Sequence, residues 1–385
     1  MTIYFVVLLA FLAHVGFAGS RLAVPLFAID QGATPFITGT VVALYAALPA
    51  VLALPAGRMT DRLGFQGPML FGTSGVFIAL LLPFFWPSMV TLYFSAALLG
   101  VSFMVLQIAT QTLTGAISGA AERGRNFSIL SISYASANLT GPLLAGILID
   151  HVGYRYTFLT LATPLVGAMI LTALGKRWIP DVHTKSEAVR GGMFDLLRIK
   201  ALRNTLITSG IVSSAWDVYQ FFMPIYGRAQ GLSATAIGSV LSAFAVAIIG
   251  VRLVLPFAVK RTGEAQMLTY AMFVACAAFC LFPLFQAAWA LAAVSFLLGI
   301  GCGCGQPLSL TLVYNASPRG RAGEAAGMRI TVNQVAHFLI PLTFGALGSV
   351  AGYAAVFFTN AGFLLAGGFV SHRMHPRRSD TGDSK

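Results

Sequence analysis

The second half of this 385-residue chain repeats the first at a constant offset of 199 residues, without a gap. Pro25 falls on Pro224, Gln31-Gly32 on Gln230-Gly231, Gly39 on Gly238, and Arg62-x-Gly64 on Arg261-x-Gly263. Leu98-Leu99-Gly100 falls on Leu297-Leu298-Gly299, and Gln107 on Gln306. Pro142 falls on Pro341, Gly146 on Gly345, Gly153-Tyr154 on Gly352-Tyr353, and Phe158 on Phe357. The matches are chiefly Gly, Pro, Gln and Arg rather than the abundant Leu and Ala, so they report shared backbone geometry rather than shared composition. The chain is constrained to two similar halves, and each half must be a unit that the other can mirror.

At 57% hydrophobic and 9% charged, the halves are far too apolar for soluble domains of this length. Apolar runs long enough for helices across about 30 Å of hydrocarbon recur twelve times, near residues 4–28, 37–56, 68–86, 90–115, 127–149, 156–175, 204–227, 234–258, 266–285, 289–313, 325–350 and 355–372. The expected fold is therefore an all-α polytopic membrane protein of two pseudo-symmetric six-helix bundles. Residues 1–175 form the first bundle and 204–372 the second. Residues 176–203 are a polar linker with an amphipathic helix at 193–203, and 373–385 form a polar tail. Residues 1–27 have no basic leader and align with the seventh span at the repeat offset, so they read as a membrane helix rather than a signal peptide.

The net charge of +12 invites a nucleic-acid reading, but its placement opposes one. With the N-terminus in the cytoplasm, 19 of the 24 Lys and Arg fall in cytoplasmic loops, linker and tail. This is the positive-inside pattern, and it places both termini in the cytoplasm of a bacterial-type inner membrane. The four cysteines lie within helices, and no His or acid clusters with them, so neither disulfides nor a metal is expected. The Gly299–Gly305 run of alternating glycines lacks the strand and Lys of a phosphate loop and reads as a helix-packing surface. No cofactor, enzymatic activity or primary pump is indicated.

Gly57-Arg-Met-Thr-Asp61-Arg62-Leu-Gly64 closes the second span, with a weaker Lys260-Arg261-Thr-Gly263 copy at its repeat position. The first segment resembles the signature loop of the major facilitator superfamily, although Phe65 and Gln66 stand where that family usually has basic residues. In the fifth span, Gly141-Pro142-x-x-Ala145-Gly146 is similar to the Gly-Pro-x-x-Gly-Gly motif of the superfamily's proton-driven drug exporters, while the fourth span lacks the Arg usual in that branch. The resemblance implies a monomeric secondary transporter that moves a small solute by alternating access. It implies proton coupling and favours export over the alternative, uptake of an organic anion. A membrane sensor on the same fold is the remaining alternative.

Ionisable residues inside a membrane are costly and are functional candidates by default. Asp217 is the single acid deep in a span, and Arg21 lies within about 4–5 Å of its depth by repeat position, so an Arg21–Asp217 pair is expected. The symmetric Gln107 and Gln306, with Gln111, Asn138, Gln220, Asn333 and His337, are expected around a site for substrate and protons between the halves. Each is equally open to a helix–helix hydrogen-bonding role. His14 is a weaker candidate. The resemblance places Asp61 opposite the start of the eleventh span, and Gly57, Asp61, Arg62, Gly64, Arg252 and Arg329 form the expected cytoplasmic gate. Asp61→Asn should therefore slow turnover several-fold while leaving substrate affinity nearly unchanged; transport rates and equilibrium binding on the same preparation compare the two.

Overall fold

The computed structural model describes residues 2–118, 122–175, 198–317 and 322–374. Without water, a lipid-spanning backbone must satisfy its own N–H and C=O groups, which leaves helix as the only solution for runs such as these. The helices are α1 (Thr2–Asp30), α2 (Pro35–Leu63), α3 (Gln66–Phe85), α4 (Met89–Ala116), α5 (Arg123–Leu174), α6 (Lys200–Ala229), α7 (Ala234–Thr262), α8 (Glu264–Leu281), α9 (Ala288–Gly303), α10 (Gly305–Ala316), α11 (Ala322–Ala351) and α12 (Tyr353–Met374). Residues 193–197 of the expected amphipathic helix at 193–203 fall outside the described residues, and its remainder leads into α6, which begins at Lys200.

These helices make twelve crossings, though not one each. The 52 residues of α5 would run ~78 Å as one straight helix, well over twice the hydrocarbon thickness. The chain turns back at Gly153 (φ 76°, ψ 170°), so α5 is two crossings joined by one glycine. Conversely, α9 and α10 are one crossing interrupted at Cys304. Ten segments of the described residues are long and apolar enough to span, α5 counting once among them. The seventh crossing, α6, is missing from those ten because Asp217, Gln220 and several Ser, Thr and Gly residues lower its hydropathy.

The repeat is visible in the backbone. All six glycines with positive φ among the described residues form three pairs at the 199 offset: Gly32 with Gly231, Gly64 with Gly263, and Gly153 with Gly352. Each marks a turn that an L side chain would strain. Helix α2 ends at Leu63 and α7 at Thr262, also repeat mates. Their N-caps, Thr34 and Ser233, are mates too, and each accepts from the backbone N–H three residues on.

The halves join along two seams, α2 with α11 and α5 with α7. Small residues allow this contact, since lipid supplies little hydrophobic force to press helices together. A Cβ on Gly238 would stand 2.5 Å from the Pro142 carbonyl oxygen; one on its mate Gly39 would strike the carbonyl oxygen of Pro341. Gly345 and Gly146 repeat the arrangement against Pro35 and Ala234. The Gly299–Gly305 stretch packs as the sequence suggested, with Gly299 on the Phe244 carbonyl, Gly301 on that of Ala271, and Gly305 on Val212.

Side-chain caps lock the same end of both seams. The Asp150 carboxylate on α5 accepts from Ala234 N (3.1 Å) and Thr235 N (2.7 Å) at the start of α7. Its repeat mate Ser349 on α11 accepts from Phe36 N at the start of α2 (3.0 Å). Each half thus caps a helix of the other. Here Arg228 on α6 also grips Asp30 on α1 with two bonds (2.9 and 2.6 Å), and Tyr154 donates to the same carboxylate at 2.6 Å. Gly238→Val should destabilise the joined halves by about 1–3 kcal/mol through overpacking. The control Gly67→Ala, where a Cβ meets nothing within 4 Å, should be neutral or slightly stabilising; thermal unfolding of the two variants tests the contrast.

Candidate functional site

A cavity of about 260 Å³ lies between the halves. It is built from short helical stripes at the i, i+3, i+4, i+7 spacing that puts side chains on one face. Helix α1 supplies His14, Phe17 and Arg21; α2 supplies Val42, Tyr45, Ala46 and Pro49; α4 supplies Gly100, Phe103, Met104 and Gln107. Across the interface stand Trp216, Asp217 and Phe221 of α6, with Gln334, His337 and Pro341 of α11; Asn138 of α5 completes the wall. A second chamber of about 200 Å³ shares His14, Gln107, Asn138 and Trp216 with the first, and adds Ser131, Tyr134, Gln220 and Arg252.

Asp217 is buried at 3% exposure, and its Oδ2 lies 2.6 Å from Nδ1 of His337. Neither carboxylate oxygen has a hydrogen bond of good geometry among the described residues, so the short approach of His337 is a charge contact. A buried carboxylate needs an opposite charge or several donors, so this contact governs whether the acid holds its charge. The expected Arg21–Asp217 pair is corrected here: both residues line the cavity, but His337 meets the acid. Repeat position gave the depth of each side chain but not the direction it faces around its helix.

The aromatic lining is the part that sequence reasoning missed. Phe17 and Phe103 stack at 3.8 Å between ring centroids, 9° from parallel. Tyr45 meets Phe17 edge-on at 5.7 Å and donates its hydroxyl to Ser20 (3.0 Å). On the other half, Trp216 packs edge-on against Phe244 at 5.0 Å. His14 is enclosed by Phe103 and Tyr134 at 4.8 and 5.1 Å.

The other candidates divide. Gln107, Asn138, Gln220 and His337 line the cavity or its second chamber. Gln111 is exposed and away from both. Asn333 is buried outside the cavity lining, and its neighbour Gln334 takes the facing position. The side chains of Gln306 and, in the expected gate, of Asp61 and Arg62 fall outside the described set, as does the surrounding of Gly57. Gly64 ends α2 at φ 73°. Arg329 is buried and donates to Ser309 (3.2 Å). Arg252 crosses between the halves to donate to Ser131 (2.7 Å), 18 residues along α7 from the Asp150 cap, about 27 Å at the helical rise. Among the described residues, no group of three or more His, Cys, Asp or Glu could hold a metal.

The sequence model described as Major Facilitator Superfamily matches residues 6–341 and 205–384. The chain belongs to this superfamily. It is an integral, multi-pass membrane transporter of small substrates. It is 23% identical to the Tetracycline resistance protein, class G, of Vibrio anguillarum, over 82% of this chain and 81% of that one. It is 29% identical to the Multidrug efflux pump LfrA of Mycolicibacterium smegmatis, over 59% of this chain and 41% of that one. In fold it superposes on a crystal structure of a POT family transporter in complex with 5-aminolevulinic acid, with a TM-score of 0.83 at 13% identity, over 98% and 96% of the two chains.

For a transporter, the capped end described above must open in some state. Arg228 and Asp30 are 36% and 27% exposed, so their ion pair contributes about 1 kcal/mol at most. Arg228→Gln should raise the population open at this end by about fivefold. The readout is the rate at which an impermeant thiol reagent, added from this side, labels a cysteine at position 42 in a chain lacking its four natural cysteines.

Proposed function

We propose that this transporter exports its substrate in exchange for protons, with the Asp217–His337 contact as the coupling site. The observation that carries the reading is a buried carboxylate, between the two moving halves, whose partner at 2.6 Å is a histidine. Carboxylate and imidazole can each carry or release a proton, so the pair offers a place for one between the two moving halves.

The titratable and charged groups around the pair come from several elements. They are Arg21 and His14 on α1, Tyr45 on α2, and Cys302 on α9, which is near enough to feel the Asp217 charge. With the capped end open, a proton enters and neutralises Asp217, which loosens its hold on His337. With the opposite end open, the Asp217–His337 contact re-forms, the proton leaves, and substrate enters the emptied cavity. Proton and substrate thus occupy the cavity in turn, and each crossing is tied to the exchange of one for the other.

Three observations support direction and orientation. The relatives include a protein named as an efflux pump. The Gly141-Pro142 segment carries the backbone at the α5–α7 seam, where the Pro142 carbonyl faces Gly238. The basic helix ends at Lys200, Arg203, Lys260, Arg261 and Arg373 lie at the end opposite the Asp150 and Ser349 caps, which supports an extracellular capped end, cytoplasmic termini and a bacterial-type inner membrane. A single chain contains the whole cavity, so the monomer is the working unit.

The test is proton flux in everted vesicles. Collapse of a preset pH gradient is recorded as lipophilic cations, neutral drugs, sugars and organic anions are added in turn. One class should collapse the gradient, and Asp217→Asn should abolish that response while exchange of labelled for unlabelled substrate persists. A gradient response retained in Asp217→Asn removes the coupling role.

A further inference from the structure

The charges in the cavity do not balance. Asp217 is engaged by His337. Arg21 lines the same space, half-buried, and has no hydrogen-bond or ion-pair partner among the described residues. A guanidinium at membrane depth is costly without an anion, and its planar fork matches a carboxylate with two parallel bonds. Beside it, Phe17 and Tyr45 present aromatic surface from α1 and α2, and Trp216 does so from α6. Aromatic side chains favour flat ring systems by stacking or edge contact.

From this juxtaposition, and building on the transport reading above, we infer that the substrate class is a flat aromatic acid: two or three fused or linked rings bearing one carboxylate or equivalent anion. Its acid binds Arg21, and its ring lies against the wall formed by Phe17, Tyr45 and Trp216. A cavity of about 260 Å³ suits a ligand of that size. An aromatic cation fits less well. Its counter-ion would be Asp217, which is 3% exposed and would have to give up His337 to receive it.

The experiment is equilibrium binding to the purified, full-length transporter at pH 7.5, without any gradient. Three probes share one two-ring naphthalene system: 2-naphthoate, neutral 2-naphthalenemethanol, and the cation (2-naphthylmethyl)trimethylammonium. Calorimetry or quenching of Trp216 fluorescence gives affinities, with Trp216→Phe identifying the quenched residue.

Naphthoate should bind at least tenfold more tightly than either of the others. Arg21→Gln should erase that preference while leaving the affinity for the neutral alcohol within twofold, and Arg21→Lys should retain part of it. Gln occupies the repeat-related position 220, and unchanged alcohol binding shows that the variant is folded. Preference for the cation, absence of naphthoate binding, or a naphthoate preference that survives in Arg21→Gln overturns the assignment. Because no gradient is present, loss of proton coupling in the vesicle assay leaves this result standing, and failure here leaves the coupling site standing.

Discussion

Everything in this molecule depends on two places where backbone meets backbone across the interface. Gly39 lies under the Pro341 carbonyl, and Gly238 under that of Pro142. Lipid gives helices no reason to associate beyond packing and hydrogen bonds, so an interface between two bundles has to be shaped rather than merely apolar. Once these crossings are fixed, the starts of α2 and α7 come within reach of Ser349 and Asp150, whose oxygens take up otherwise orphaned N–H groups. The same geometry brings Arg228 to Asp30, and it sets the stripes of α1, α2, α6 and α11 around one cavity.

Within that cavity, the arrangement of charge matters more than its amount. One acid meets one histidine, and one arginine is left facing the space. In a low-dielectric interior, an uncompensated charge is expensive and an almost compensated one is poised, so small changes in protonation or occupancy translate into changes of state. The second chamber ends at Arg252, whose bond to Ser131 carries the α5–α7 seam toward the opposite end of the bundle.

Much of this was legible in the sequence, for identifiable reasons. The two halves were visible because glycines and prolines record backbone geometry, and Gly32, Gly64 and Gly153 with their mates are the turns themselves. Helix ends were read short where polar residues continue the helix, as at the end of α2 through Arg62 and at the start of α6 from Lys200. Arg21, Asn138, Asp217 and His337 stood out because polar atoms in lipid need a purpose. The partner of Asp217 did not, since depth follows from counting residues whereas direction requires the packed helices. Phe17, Tyr45 and Trp216 gave no signal in a chain that is 12% aromatic. Asp30, Asp150 and Arg228 carry no signal at the ends of their spans, because their partners lie in the other half.

The gapless offset has one more consequence. Because no residue has been inserted or lost between repeat mates from Pro25 to Phe357, the chain serves as its own alignment. Positions where mates agree record what the architecture requires; positions where they differ record what was specialised afterwards. Among the differing pairs in the cavity are Ala18 and Asp217, Arg21 and Gln220, Tyr45 and Phe244, and Asn138 and His337. The acid and its histidine both belong to the second half, while the free arginine belongs to the first. An ancestor made of two identical halves would have carried both sets or neither, so the chemistry of this transporter arose when duplicated surfaces that face each other ceased to be the same.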